Sequence, residues 1–217
     1  EEVACTLAEA GMQNGAVLHT CGALGPEALA PLAAQGVSCG ALHPLQTFAT
    51  PEQGVSSLPG AAFALTADGA AAEWGEDIAK LLGATVLRIP ADRRTIYHAA
   101  AVMGSNYVVA LIDAAILLLS AAGVKEADAR AALAPLARAS VENAIGLGAA
   151  RALTGPIERN DLRTVAGHLR ALDEAPAPIA AAYRALGLHA VDLARRGAAA
   201  QEDRKEMEAL LRTGASA

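Results

Sequence analysis

Up to Pro90 the chain alternates short apolar runs with helical stretches, and beyond it only helical patterns remain. That switch constrains the fold more than any other feature. The runs 16–21, 37–42, 61–66 and 85–89 are bounded by Gly or Pro and read as strands. Helical stretches fall at 1–11, 26–35 and 69–82. The first carries Val3, Leu7 and Ala10 on one side. The second opens at Pro26 and stops at Gly36, with Pro31 delaying its start or kinking it. The stretch 50–60 reads as a polar loop. Apolar strands alternating with helices indicate an α/β body whose parallel sheet is covered on both faces.

After residue 90 the pattern predicts one long apolar helix over 92–122, ended by Gly123. Helices follow at 126–152, 161–172, 176–196 and 201–212, the first of these broken near Pro135 or Gly146. The run 95–112 has no Asp, Glu, Lys or Arg over 18 residues, which approaches the length of a membrane span. His98, Ser105 and Asn106 within it, and Asp113 beside it, favour a buried helix of a water-soluble protein instead. A helix apolar on nearly every face needs cover on nearly every side, so a homodimer through the helical part is expected. The fold class is therefore α/β followed by all-α, with domains at 1–90 and 91–217.

Charge follows the same division. Residues 1–90 hold nine acids and two bases, and residues 91–217 hold fourteen and fifteen. Hydrophobic residues make up 53%, which excludes a disordered chain. Aromatics are only 3%, so Ala, Leu, Val and Ile must build the core. The net charge of −6 argues against a nucleic-acid partner. Cys5, Cys21 and Cys39 form no C-x-x-C pair, which argues against a disulfide scaffold or a structural metal site. With no signal peptide visible, a cytoplasmic setting is expected.

Four strings stand out. The first strand ends in His19-Thr20-Cys21-Gly22-Ala23-Leu24-Gly25, where the glycines permit close approach and the next helix offers free N–H groups. It reads as a cofactor-contacting loop or as an ordinary strand-to-helix turn. The second strand ends in His43-Pro44-Leu45-Gln46-Thr47-Phe48; Pro44 interrupts a ladder, so His43 sits at the strand end. His43 there is a general acid, a substrate hydrogen-bond donor, or a buried histidine satisfied by backbone. On the long helix, His98 and Asn106 are eight residues apart and about 80° apart around the axis. They line a cleft or form satisfied polar groups in a core. The fourth string is Gly155-Pro156-Ile157-Glu158-Arg159-Asn160-Asp161, followed by His168. Asp161 suits a helix N-cap, and Arg159 suits a carboxylate or phosphate. Capping plus a surface ion pair explains the same residues. Gly146-Leu147-Gly148 mimics a dinucleotide fingerprint but follows helix rather than strand.

In this order the strings, with Tyr97-His98-Ala99-Ala100-Ala101 and Asn106 as the third, resemble a bacterial family of NADP-dependent oxidoreductases. That family has a Rossmann-like N-terminal domain and a helical C-terminal domain of unknown function. It is similar in layout to 6-phosphogluconate dehydrogenase, ketopantoate reductase, pyrroline-5-carboxylate reductase and prephenate dehydrogenase. The family carries Ser where this chain has Cys21 and Gly where it has Asn160, a residue that tolerates left-handed backbone. Such proteins open with a strand, a Gly-rich turn and a helix that bind the pyrophosphate. This sequence opens later in the layout, so a truncated polypeptide is expected.

The resemblance implies hydride transfer between NADP or NAD and a small carbonyl or imine substrate. On this reading Thr20, Cys21, Gly22, His43 and Pro44 contact the cofactor. His43, His98 and Asn106 are the candidate catalytic residues, and Arg159, Asp161 and His168 the candidate substrate-binding ones. The rival is a non-catalytic helical dimerisation or ligand-sensing module on the same scaffold. The catalytic reading requires His43 and Asn106 to share one cavity.

Overall fold

The computed structural model describes residues 2–197 and 203–213. It divides into two units, 1–109 and 110–217. The change from sheet to helix comes earlier, after residue 90.

In the first unit, α1 (Glu2–Glu9) precedes β1 (Ala16–His19). A 3-10 turn (Pro26–Leu29) and α2 (Ala30–Ala33) lead to β2 (Ser38–Leu45). Pro31 lies in the first turn of α2, which begins the helix late rather than bending it. Then come α3 (Pro51–Ser57), β3 (Ala62–Ala67), α4 (Gly69–Leu81) and β4 (Thr85–Arg88). The stretch read as a polar loop thus holds a helix. Thr50 caps it, its Oγ1 accepting from Gln53 N–H at 3.2 Å, and Pro51 occupies the first turn.

The four strands lie in sequence order. β1–β2 and β3–β4 are parallel, whereas β2–β3 is antiparallel. The sheet is therefore mostly parallel, as expected, with one antiparallel pairing at β2–β3. The short β2–β3 link, holding only the seven-residue α3, reverses the chain. β2 also continues past His43, with Pro44 opposite Phe63. The reason is local: β1 ends opposite Ala41, so beyond that point β2 has one neighbour and tolerates a residue without an N–H.

Alternating side chains serve two cores. Val17 and Cys39 pack with Ala4, Ala8, Leu29, Leu32 and Val37. Leu18 joins Leu42, Phe63, Leu65 and Ile78 beneath α4. Both faces of the sheet are thus occupied, as its apolar strands require.

The expected long helix is broken. A 3-10 turn (Ala91–Arg93) leads to α5 (Arg94–Gly104), and α6 (Asn106–Ala121) starts after Ser105, which leaves helical geometry at φ −126°. The weak helix formers Gly104, Ser105 and Asn106 meet there. The expectation of burial also fails within one chain, where Ile96 is 67% and Val109 69% exposed. By length and composition the run Ala91–Ala121 could cross a membrane.

The second unit contains α7 (Glu126–Leu147), α8 (Ala149–Ala152), α9 (Leu162–Ala171), α10 (Ala177–Arg196) and α11 (Lys205–Thr213). The break after α7 falls at Gly148 (φ +83°), and Pro135 stays inside the helix. Val165, Leu169, Val191, Met207 and Leu211 form the core. The expected last helix began at 201; residues 201 and 202 lie outside the described residues.

Candidate functional site

The site grows from the turn after β1 and the first turns of α5. His19 fixes the turn. Its Nε2–H donates to Gly25 C=O at 2.9 Å, while Nδ1 accepts from Cys21 N–H at 3.2 Å. Gly25 N–H donates to the Glu27 carboxylate at 2.7 Å. The N–H of Gly25, just before the helical turn, is thus taken by the protein's own acid. The close approach at Gly22 is internal as well. A methyl group there would lie 2.5 Å from His98 Cδ2 and 2.8 Å from His43 Nε2. Gly22 is a glycine because two imidazoles rest on it.

Arg94 ties the site to the sheet. It is 1% exposed, and its guanidinium donates to Thr66 Oγ1 at 2.9 Å and to Cys21 C=O at 2.8 Å. Thr66 Oγ1 in turn donates to Ile89 C=O at 2.6 Å. One arginine so joins the ends of three strands to the start of α5. Its guanidinium also lies 5.8 Å from the Tyr97 ring centre.

Tyr97 and His98 follow on α5. The Tyr97 hydroxyl and His43 Nδ1 are 2.6 Å apart, with the rings edge to face. His98 stands edge to face with His43 at 6.1 Å. Burial, and then the charges of Arg94 and His98, push His43 below its ordinary value of 6.5, so it is neutral at pH 7. Burial raises Tyr97, which keeps its proton. When Tyr97 donates to Nδ1, the imidazole proton sits on Nε2.

These side chains open onto a cavity of about 670 Å³, lined also by Gln46, Ser105 and Asn106, with Leu45, Leu87 and Val102 as apolar walls. The volume suits a small ligand or one end of a larger one. His43, His98 and Asn106 all line this cavity, although they come from β2, α5 and α6. Thr20 and Pro44 do not. Successive strand residues face opposite ways, so Pro44 turns from His43 and lines a second groove of about 510 Å³ with Thr20 and Phe48. Cys21 is exposed.

The fourth string lies in the second unit and has local partners. Asp161 caps α9, accepting from Thr164 N–H at 3.0 Å and Thr164 Oγ1–H at 2.7 Å. These bonds hold its carboxyl below the usual range. Asn160 adopts φ +54°, the left-handed geometry its side chain tolerates. The buried Arg204 donates to the carbonyls of Ile157 and Glu158. His168 Nδ1 is 2.7 Å from the Tyr183 hydroxyl, and Arg159 is exposed.

The sequence motifs include Tyr97 without a role for it and do not include Arg94. The signal was present: Arg94, Tyr97, His98 and Ala101 keep the spacing of one helical face.

The fold is Rossmann-like: a mostly parallel sheet with helices on both faces, then a helical region. It is similar to protein TM1727 from Thermotoga maritima, with a TM-score of 0.73 and 22% identity over 88% of this chain and 74% of that one. It is also similar to the "putative NADP oxidoreductase BF3122" of Bacteroides fragilis, with a TM-score of 0.66 and 23% identity over 82% of this chain and 65% of that one. No curated protein matches the chain. The chain belongs to the family described as domain of unknown function DUF2520, whose model matches residues 61–190.

Proposed function

We propose that this protein acts in an NADP- or NAD-dependent oxidoreductase that transfers hydride between the nicotinamide and a small carbonyl or imine substrate. The observation that carries the proposal is the convergence of His43, His98 and Asn106 on one cavity. The fold, and the name of the Bacteroides fragilis protein, support the cofactor class.

The residues present fit the nicotinamide end of such a cofactor. Gln46 and Asn106 offer amides to pair with a carboxamide, and Leu45, Leu87 and Val102 offer apolar surface to a ring. When bound, the cofactor supplies or accepts the hydride. The chain's own residues handle the proton and the geometry. Reducing a carbonyl or imine leaves an oxygen or nitrogen that needs a proton from a group within reach. His98 and His43 are the candidates. A neutral His43 with its proton on Nε2, held in place by Tyr97, can hydrogen-bond the reacting oxygen or nitrogen, and delivers a proton only in its protonated form. Asn106 orients the reacting group as a hydrogen-bond donor.

Hydride transfer from NADPH and NADH to a panel of small carbonyl compounds and imines tests this, with His43→Ala and His98→Ala alongside. A loss of about 10²- to 10⁴-fold in kcat in at least one variant is expected. Unchanged turnover in both removes these residues from the mechanism. We further propose a homodimer that covers the exposed apolar residues of α5 and α6, among them Ile96, Met103 and Val109. Light scattering reads its mass directly, and a monomer at micromolar concentration contradicts it.

A further inference from the structure

We propose that Tyr97 is the proton source behind His43: its hydroxyl proton passes to His43 Nδ1 as the Nε2 proton passes to the reacting oxygen or nitrogen. The proposal rests on the hydride-transfer reading and adds a residue to its proton path.

The need arises from His43 itself. At pH 7 it is neutral, because burial first, and then the charges of Arg94 and His98, hold it below its ordinary value. A neutral imidazole carries one proton and one lone pair. Giving that proton up unaided would leave an imidazolate, so a second proton has to reach the other nitrogen. The structure places a donor there. The Tyr97 hydroxyl is 2.6 Å from Nδ1, and both rings line the cavity. With Nδ1 held by Tyr97, Nε2 is the nitrogen left for a substrate.

The step balances. Hydride arrives at the substrate carbon, and the π pair moves onto its oxygen or nitrogen. The Nε2–H bond breaks as that proton bonds to the substrate. The Tyr97 O–H bond breaks as Nδ1–H forms, so His43 is cationic only in passing. It ends neutral, with its proton on Nδ1, beside a Tyr97 phenolate. A proton from water, taken up at Nε2 while Nδ1–H returns to the phenolate, restores the starting state. An alkoxide or nitrogen anion is far more basic than a phenolate, whose ordinary value is about 10, so the whole transfer runs downhill.

The phenolate has a cation near it. Burial pushes the Tyr97 hydroxyl up, and the Arg94 guanidinium, 5.8 Å from the ring centre, pulls it partly back. Arg94 does this while engaged elsewhere: it donates to Thr66 Oγ1 and Cys21 C=O, and Cys21 and Glu27 act on its charge. His98 faces His43 edge to face at 6.1 Å, and its charge disfavours a lasting imidazolium. The titratable groups acting on the pair are thus Arg94 and His98 of α5, with Cys21 and Glu27 behind Arg94. Because Tyr97 acts through His43, it is a positioning residue, and its test must separate proton supply from support of the ring.

The experiment is single-turnover reduction by NADPH or NADH in wild type and Tyr97→Phe, between about pH 6 and pH 10, with the carbonyl or imine that wild type reduces fastest. The wild-type rate should stay level through neutrality and fall only where Tyr97 ionises. In Tyr97→Phe the rate at about pH 8 should drop by about 10²-fold or more. What remains should depend on protonated His43, falling about tenfold per pH unit above its value. Acid should therefore restore activity to the variant and not raise that of wild type. A loss by the same factor at every pH overturns the proposal, and so does an unimpaired variant. Two measurements need no variant. The wild-type rate in mixtures of light and heavy water should bow below a straight line, since two protons move together; a straight line overturns the proposal. Nitrogen NMR of the resting protein should find the neutral His43 proton on Nε2; a proton on Nδ1 makes His43 the donor to Tyr97 and overturns it as well. The two readings fail separately. A wild type that reduces no substrate sinks the reaction and this path with it, whereas wild-type turnover with an unimpaired Tyr97→Phe sinks the path alone.

Discussion

The packing at Gly22 makes the sharpest mechanical prediction. In Gly22→Ala the new methyl would sit 2.5 Å from His98 Cδ2, 2.8 Å from His43 Nε2 and 3.0 Å from His43 Cδ2. Carbon contacts settle near 3.5–4.0 Å, so each ring must retreat by roughly 1 Å. His43 cannot retreat freely, because its far nitrogen is 2.6 Å from the Tyr97 hydroxyl. A shift of that size breaks the bond or displaces Tyr97 from Arg94. Overpacking costs about 1–3 kcal/mol and a lost hydrogen bond about 0.5–1.5 kcal/mol. The expected total is about 2–4 kcal/mol, a fall in melting temperature on the order of 10 °C for a chain of this size. Urea denaturation followed by circular dichroism measures it. Gly167→Ala is the control, since nothing lies within 4 Å of its added methyl and α9 gains a better helix former. It should be neutral or stabilising by up to about 1 kcal/mol. If Gly22→Ala loses less than about 0.5 kcal/mol and keeps the His43–Tyr97 contact, the account of the turn is wrong.

Other outcomes follow from the same coordinates. His43 titrates lower in the folded protein than its ordinary 6.5, so between those two values the unfolded chain binds a proton that the native one does not. Stability should therefore fall as pH drops below about 6.5, and His43→Gln should flatten that fall in urea midpoints taken across the range. Pro135→Ala should stabilise the second unit by about 1–3 kcal/mol, because Pro135 interrupts the hydrogen bonds of α7; an unchanged thermal midpoint would show that α7 relieves the proline elsewhere. Asp161→Ala should lower the melting temperature while Asp161→Asn retains most of it, since Asn also accepts from Thr164 N–H. If both behave alike, the cap contributes nothing.

What could be read from sequence was decided by short-range patterns. Four strands and the switch at residue 90 are visible because apolar runs are bracketed by Gly and Pro. The antiparallel pairing is not, because strand direction depends on how the β2–β3 link folds, and Thr50-Pro51 starts a helix inside a stretch whose composition is that of a polar loop. Pro44 misled for a related reason: a ladder excludes proline only where a neighbour waits for its N–H, and the length of β1 decides that. In the site, His43, His98 and Asn106 drew notice as polar residues amid apolar ones. Arg94 did not, because its partners Thr66 and Cys21 lie 28 and 73 residues away along the chain. Asp161 was legible in both its functional and its capping reading, and the structure displays the cap.

The most direct measurement is the intermolecular nuclear Overhauser effect between the nicotinamide ring protons of bound NADPH or NADH and the histidine imidazoles. The chain has five histidines, and two of them, His168 and His189, lie in the second unit as internal controls. Contacts from the ring to His43 or His98 are the expected result. A bound cofactor whose ring touches neither, or touches only His168 or His189, would contradict the assignment of this cavity as the reaction centre.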